Sequence, residues 1–237
     1  MANNPLTTLR LLRAIVRLAR DPRRLDEVFH IADSMESSEL AASVEAEFRK
    51  DPAHLDALAS RPRLGRVVIG TLAQLPSATL GRAFADFLIE NELDPEDIQV
   101  NEVKSDFDYV RAHLRETHDI WHVATGFPTD VAGELGLQAF YLAQFRAPLA
   151  AMLLAIGMVN TLFFAMDDRD ARMRSIVRGW LLGKRARSLF GYRWAERFDR
   201  PLADVRRELG LDVDGVDEAI DALIGPEQVR EALRAAA

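Results

Sequence analysis

Between Arg115 and Gln144 the chain reads RETHDIWHVATGFPTDVAGELGLQAFYLAQ, which places His118 and His122, two of the five histidines, beside the carboxylates Asp119 and Glu134. Imidazole nitrogens with carboxylate oxygens make the donor set of a zinc site or of a site for another first-row divalent ion. An α-helix turns by about 100° per residue, so His118 and His122 stand roughly 40° apart and Asp119 about 60° beyond His122 on the same side. Pro128 then breaks the helix, and Thr129-Asp130 offers a cap for the next one. That second helix, returning antiparallel, can deliver Glu134 to the imidazoles. The expected metal set is therefore His118, Asp119, His122 and Glu134, with Asp119 either a ligand or the partner of one.

The spacing also excludes chemistries. A zincin needs His-Glu-x-x-His, with the glutamate reaching a metal-bound water, whereas the second position here is Asp119, one methylene shorter. A carboxylate-bridged di-iron bundle takes a Glu-x-x-His motif from each of two helices, a pair this chain does not supply. A metal-dependent phosphohydrolase shares the His-Asp vocabulary, but its widely separated additional ligands are missing, which ranks it third among the readings.

At these residues the chain resembles the ubiquinone (coenzyme Q) biosynthesis proteins of the Coq-four type, which carry His-Asp-x-x-His, eleven intervening residues and then Glu. His118, Asp119, His122 and Glu134 fall on that pattern without a gap. The similarity extends through LPSATLGRAFADFL (Leu75 to Leu88), THDIWHV, the following Gly-Phe, Gly133 with Glu134, and RWAERFDRPLADVRRELG, covering Leu64 to Leu211. The resemblance implies a helical, membrane-peripheral protein with a divalent metal, a pocket for a polyisoprenoid chain, and a role in modifying a quinone ring. It further implies loss of the carboxylate at ring carbon one of a polyprenylated hydroxybenzoate, a carbon–carbon lyase reaction, alone or coupled to hydroxylation there. Zinc is the expected ion, with iron or magnesium as alternatives, iron being more apt where oxygen is used. The competing reading is a non-catalytic scaffold that binds polyprenyl lipid and gathers other ubiquinone biosynthesis proteins at the membrane.

The elements that must position these residues are helical throughout. The 237 residues are enough to bury a full core. One all-α domain over 1–237 is expected, a bundle of about ten or more helices around a buried apolar central helix. Asp21-Pro22 and Asp51-Pro52 read as helix starts with Asp at the cap and Pro in the first turn. Asn91 to Lys104 is the longest non-helical stretch, a loop or a short strand. The helix bearing the histidines starts near Asp106. Gly210 and Gly215 read as helix ends, and Pro226 as the opening of a last short helix. His30 and His54, alone on their helices, are read as packing or surface residues.

Ala147 to Met166 contains no charged residue and reaches the ~20 residues that span a bilayer. Its alanine-rich composition, Pro148 and the Asn160-Thr161 pair favour a core helix instead, with small residues leaving room for a lipid tail. Beyond it a basic amphipathic helix is expected to turn Met173, Ile176, Val177, Trp180 and Leu181 inward.

The net charge of −7 conceals an asymmetry: residues 1–24 carry +5, residues 169–193 carry +7, and the remainder −19. In the first helix Arg10, Arg13, Arg17 and Arg20 share a narrow arc opposite leucines and valine, the pattern of a helix lying on an anionic membrane surface. No nucleic-acid recognition fold or aromatic-interleaved basic groove is evident. With no cysteine there is neither a disulfide nor a thiolate-bound metal. Residues 1–5 lack the charged and apolar regions of a secretory signal. The expected location is cytoplasmic and peripheral on the membrane face, or on the mitochondrial inner membrane for a eukaryotic chain; a homo-oligomer is compatible with all of this.

Overall fold

A computed structural model describes residues 5–22, 24–34, 38–95 and 103–225. Among the described residues the chain forms thirteen α-helices and no strand, as the periodicity requires. The first four, α1 (Pro5–Arg20), α2 (Leu25–Ser34), α3 (Ser38–Phe48) and α4 (Pro52–Ser60), are followed by the single turn α5 (Ile69–Leu72) and by α6 (Leu80–Glu90). Then come α7 (Asp106–Glu116), α8 (His118–Thr125), α9 (Val131–Gln144), α10 (Pro148–Phe164), α11 (Arg169–Arg185), α12 (Leu202–Leu209) and α13 (Val213–Ile224).

Local chemistry sets the helix boundaries. Asp51 caps α4 by accepting from the Ala53 N–H at 2.9 Å, with Pro52 in the first turn. The similar Asp21-Pro22 does not start a helix; it forms the turn after α1, and α2 begins only at Leu25. Ser105 and Asp108 form a reciprocal capping box at α7. Gly210 ends α12 in the left-handed region at φ 70°, but Gly215 lies inside α13, where its N–H is capped by Asp212 at 3.2 Å. The Asn91 to Lys104 stretch is described only at its two ends, and the helix expected after Pro226 lies outside the described residues.

The main core gathers Trp121, Trp194, Tyr109, Phe84 and Phe140, all essentially inaccessible. A smaller core joins α1, α2 and α10 through Ala14, Leu18, Ile31 and Ile156. The centre of the fold is the pair α9 and α11, whose glycines permit an unusually close approach. A Cβ on Gly179 would lie 1.9 Å from the Gly136 carbonyl oxygen, and one on Gly183 would lie 2.7 Å from the Ala143 Cβ.

That approach overturns two expectations. The small face of α11 is the one that fits against α9, so Met173, Val177 and Trp180 are exposed and only Ile176 and Leu181 are half-buried. The apolar α10 is covered along one side alone: Met158, Val159, Leu162, Phe163 and Phe164 face outward. A helical wheel identifies an apolar face but not which neighbour covers it. Inside the fold, Arg172 of α11 donates to Asn160 Oδ1 at 2.7 Å and to Thr161 Oγ1 at 2.9 Å, while the Asn160 amide donates to the Ala19 carbonyl at 2.9 Å. The two polar residues of α10 thus tie α1, α10 and α11 together. No helix among the described residues is long and apolar enough to cross a membrane.

Candidate metal centre

The histidines lie on α8, a helix distinct from α7. Thr117 separates the two, its hydroxyl donating to the His113 carbonyl at 2.7 Å, a side-chain bond that competes with regular helix geometry. At the other end of α8, Gly126 adopts φ 72° and closes the helix through its N–H to the His122 carbonyl at 2.8 Å. The chain then folds back over Phe127 and Pro128. Asp130 caps α9 on the Gly133 N–H at 2.7 Å, in line with the cap read from the sequence. A Cβ on Gly133 would lie 2.0 Å from the Pro128 carbonyl oxygen, so a glycine directly before Glu134 is what lets α9 start this close to α8.

Three side chains converge there. His122 Nε2 and His118 Nε2 are 3.3 Å apart, His122 Nε2 is 3.3 Å from Glu134 Oε1, and His118 Nε2 is 3.7 Å from Glu134 Oε2. Ligands at ~2.0–2.1 Å from a tetrahedral ion stand about 3.3 Å from one another, so the atoms are spaced as such an ion needs. His118, His122 and Glu134 each offer an atom within 4.8 Å of the others, and Asp119 stands outside that set.

The remaining ring nitrogens are engaged elsewhere. His122 Nδ1 lies 3.1 Å from the Phe127 carbonyl oxygen; only an N–H can make that bond, which leaves Nε2 with a free lone pair. His118 Nδ1 faces the Tyr141 hydroxyl at 3.4 Å. Tyr141 stacks on Trp121 at 4.5 Å between centroids, and Phe87 of α6 stacks on His122 at 5.6 Å. These aromatic walls fix the rings' orientation. His122 is almost wholly enclosed, whereas about a third of the His118 and Glu134 side chains is accessible, so the centre opens on their side.

The electrostatics suit a cation. Burial works against a charged Glu134, yet His118 and His122, whose Nε2 atoms lie 3.7 and 3.3 Å from its carboxylate oxygens, hold its carboxyl well below the usual carboxylate range. His118 is likewise disfavoured as a cation by burial, but its hydrogen bond to Glu134 and the charges of Glu134 and Asp119 raise it. Asp119 thus adds negative potential at the centre without converging on it.

The end of α8 is held from outside the motif. Arg206 of α12 donates to the carbonyls of Ala124 and Val123, both at 2.9 Å, and Arg178 of α11 donates to Thr125 O at 3.1 Å while pairing with Asp217 of α13. Two guanidiniums therefore satisfy the last carbonyls of α8. Sequence reasoning missed both arginines, along with Phe87 and Tyr141. Tyr141 alone carried a signal, because its place seven residues after Glu134 puts it two turns along the same helix face.

On the far side of α9, Ala139 and Leu142 form an apolar groove of about 320 Å³ with Leu154, Ile176, Val177 and Trp180. The groove residues lie about 80–140° round α9 from Glu134.

Comparison with known proteins bears on the same residues. The family model described as Coenzyme Q (ubiquinone) biosynthesis protein Coq4 matches residues 5–214, beginning well ahead of Leu64 and so taking in the first helices. The mitochondrial ubiquinone biosynthesis protein COQ4 homolog of Xenopus tropicalis is 26% identical over 197 residues, 81% of this chain and 68% of that protein. The Neurospora crassa mitochondrial protein is 28% identical over 81% of this chain and 56% of its own length, and that of Danio rerio 30% over 69% and 61%. The crystal structure of a Nostoc punctiforme protein designated for ubiquinone biosynthesis superposes with a TM-score of 0.78 at 30% identity, covering 90% of this chain and all of that one. With its helical fold and its match over nearly the whole length, the chain belongs to the Coq4 family of coenzyme Q (ubiquinone) biosynthesis proteins.

Proposed function

We propose that within ubiquinone biosynthesis this protein removes the ring carboxylate of a polyprenylated hydroxybenzoate, with His118, His122 and Glu134 holding a divalent ion, zinc or iron, and Asp119 tuning it. The observation that carries this reading is the convergence of two imidazole Nε2 atoms and one carboxylate at ligand spacing, with each imidazole's other nitrogen already engaged. A bound divalent cation would supply a Lewis acid and a template for the substrate carboxylate.

The chain's own residues do the rest. The Phe127 carbonyl holds the His122 proton on Nδ1, and Tyr141 orients His118. Glu134 stays ionised, which keeps the centre attractive to a cation. The open side, bounded by His118 and Glu134, admits an aromatic carboxylate, while the groove beneath α10 and α11 gives an isoprenoid tail apolar contact on the same helix that carries Glu134. In the reaction the bond from ring carbon one to the carboxyl carbon breaks, carbon dioxide leaves, and a proton takes its place on the ring. The coupled version puts a hydroxyl there instead and requires an external oxidant such as dioxygen.

A second reading, a lipid-binding scaffold for other ubiquinone biosynthesis proteins, is favoured by the breadth of apolar surface exposed on α10 and α11. The deciding experiment isolates the protein without chelator, anaerobically and in air, measures its metal content, and incubates it with a prenylated 4-hydroxybenzoate with and without oxygen. Product lacking the carboxylate, formed by the metal-loaded protein and not by His122→Ala, supports the enzyme. Unchanged substrate under every condition, together with full function in cells of a metal-free variant, would sink it.

A further inference from the structure

Among the described residues, twelve of the sixteen exposed large apolar side chains sit on α1, α10, α11 and the turn between the last two, so the exposure is concentrated on three helices. Round α10, Met152, Leu153 and Ile156 pack towards α1 and Gly157 meets Leu135 of α9. Met158, Val159 and Leu162 share the remaining arc, which faces out. Across the groove, α11 turns Met173, Val177 and Trp180 outward while keeping Arg172 and Arg178 buried. This inversion, apolar side chains out and arginines in, is the reverse of a solvated helix. Apolar side chains gathered on a surface in this way mark an interaction site.

Charge identifies the partner. The arginines of α1, among them Arg10, Arg13 and Arg20, are exposed on one flank, and Lys184, Arg185 and Arg187 at the end of α11 are exposed on the other. The segments holding these flanks carry +5 and +7 in a chain whose remainder carries −19. The Lys184 amine lies 4.8 Å from the centroid of the exposed Trp180 ring, an amphipathic ring beneath an amine on a long apolar stem, as suits a lipid–water boundary. The acidic turn Met166–Asp168 stands at one end, with Asp168 paired to Arg172 at 3.2 Å. A second copy docked by symmetry would set basic flank against basic flank.

We infer that the outward face of α10 and α11 rests on an anionic bilayer, with Leu162, Phe163, Val177 and Trp180 among the upper acyl chains and the arginines of α1 and α11 at the headgroups. The arginine arc of α1, which the sequence alone offered as the membrane contact, is then a flank of a larger apolar face. The groove opens towards lipid. This inference does not rest on the metal centre, and His122→Ala should dock unchanged.

Trp180 reports on the contact directly, because Trp121 and Trp194 are 0% and 1% exposed whereas Trp180 is 44% exposed. The full chain is mixed with phosphatidylcholine vesicles, with or without about 30% phosphatidylglycerol, carrying brominated acyl chains. Binding to the anionic vesicles with quenched, blue-shifted emission is expected, and Trp180→Phe should abolish the quenching while leaving the protein bound. The double change Leu162→Glu and Phe163→Glu, on exposed positions that leave the helical content intact, should weaken binding by about tenfold or more. Arg10→Gln with Arg13→Gln should weaken it only at low salt, where screening is slight. Vesicle-bound protein with unquenched Trp180, or the glutamate variant binding like wild type, would overturn the inference. So would a dimer in solution that the glutamate variant dissociates, since the face would then be a contact between copies.

Discussion

His118 and His122 present their Nε2 atoms to each other at 3.3 Å, with the Glu134 carboxylate completing the triangle. Two imidazoles one turn apart do not reach this arrangement by helical spacing alone. Phe127 must hold the far side of one ring and Tyr141 that of the other.

Removing one corner should empty the centre. His122→Ala is expected to lose stoichiometric metal while keeping the helical fold, and in cells to lose ubiquinone synthesis. Glu134→Gln keeps an oxygen donor but loses the charge, so its affinity should fall by about tenfold, less than for the histidine. Metal analysis after dialysis against a weak chelator measures both; full occupancy in His122→Ala would reject the ligand assignment.

Acid should weaken the fold through histidines remote from the centre. Burial pushes His113 down to about 4, with its Nδ1 on the Pro62 carbonyl and its Nε2 accepting the Gly191 N–H. An unfolded histidine titrates near 6.5, so between these values the unfolded chain binds the extra proton. The stabilisation is complete above about pH 6.5 and is lost as pH falls to about 4, amounting to about 3 kcal/mol. His54, lowered by burial, acts in the same direction, and His118, raised beside Glu134, opposes it. Urea unfolding across this range should show the slope in wild type and a flatter one in His113→Gln; equal slopes would remove His113 from the account.

Gly179→Ala tests whether the contact of α9 with α11 carries the centre. The added Cβ would meet the Gly136 carbonyl oxygen at 1.9 Å, and backbone cannot rotate away as a side chain can. A destabilisation of about 3 kcal/mol is expected, together with weaker metal binding because α9 carries Glu134. Unchanged unfolding and unchanged metal affinity would show that the two helices separate freely.

How much was legible in the sequence follows from what each residue's role depends on. His118, His122, the break at Pro128 and the cap at Asp130 are local facts of spacing and turn chemistry, and they emerge where the spacing put them. The inward face of α11 did not, because its choice depends on Gly136 and Gly179 meeting across two helices. Arg206 and Arg178 escaped for the same reason: a guanidinium that satisfies carbonyls on a distant helix carries no mark distinguishing it from a surface charge.

Asp119 separates the catalytic reading from the scaffold. It lies outside the three converging atoms, yet its charge raises His118, so Asp119→Asn should keep the metal, the fold and any bound partners while changing the potential where the substrate carboxylate arrives. If the centre is catalytic, cells carrying this variant should accumulate a precursor that still holds its ring carboxylate. A scaffold predicts otherwise: either ubiquinone stays normal, or several pathway steps fail together as partners are lost. Precursor masses measured beside co-purification of pathway proteins distinguish these outcomes. Normal ubiquinone from a chain whose centre is demonstrably empty would defeat the catalytic reading, because no residue outside the centre is assigned the task of stabilising the charge that develops as carbon dioxide leaves.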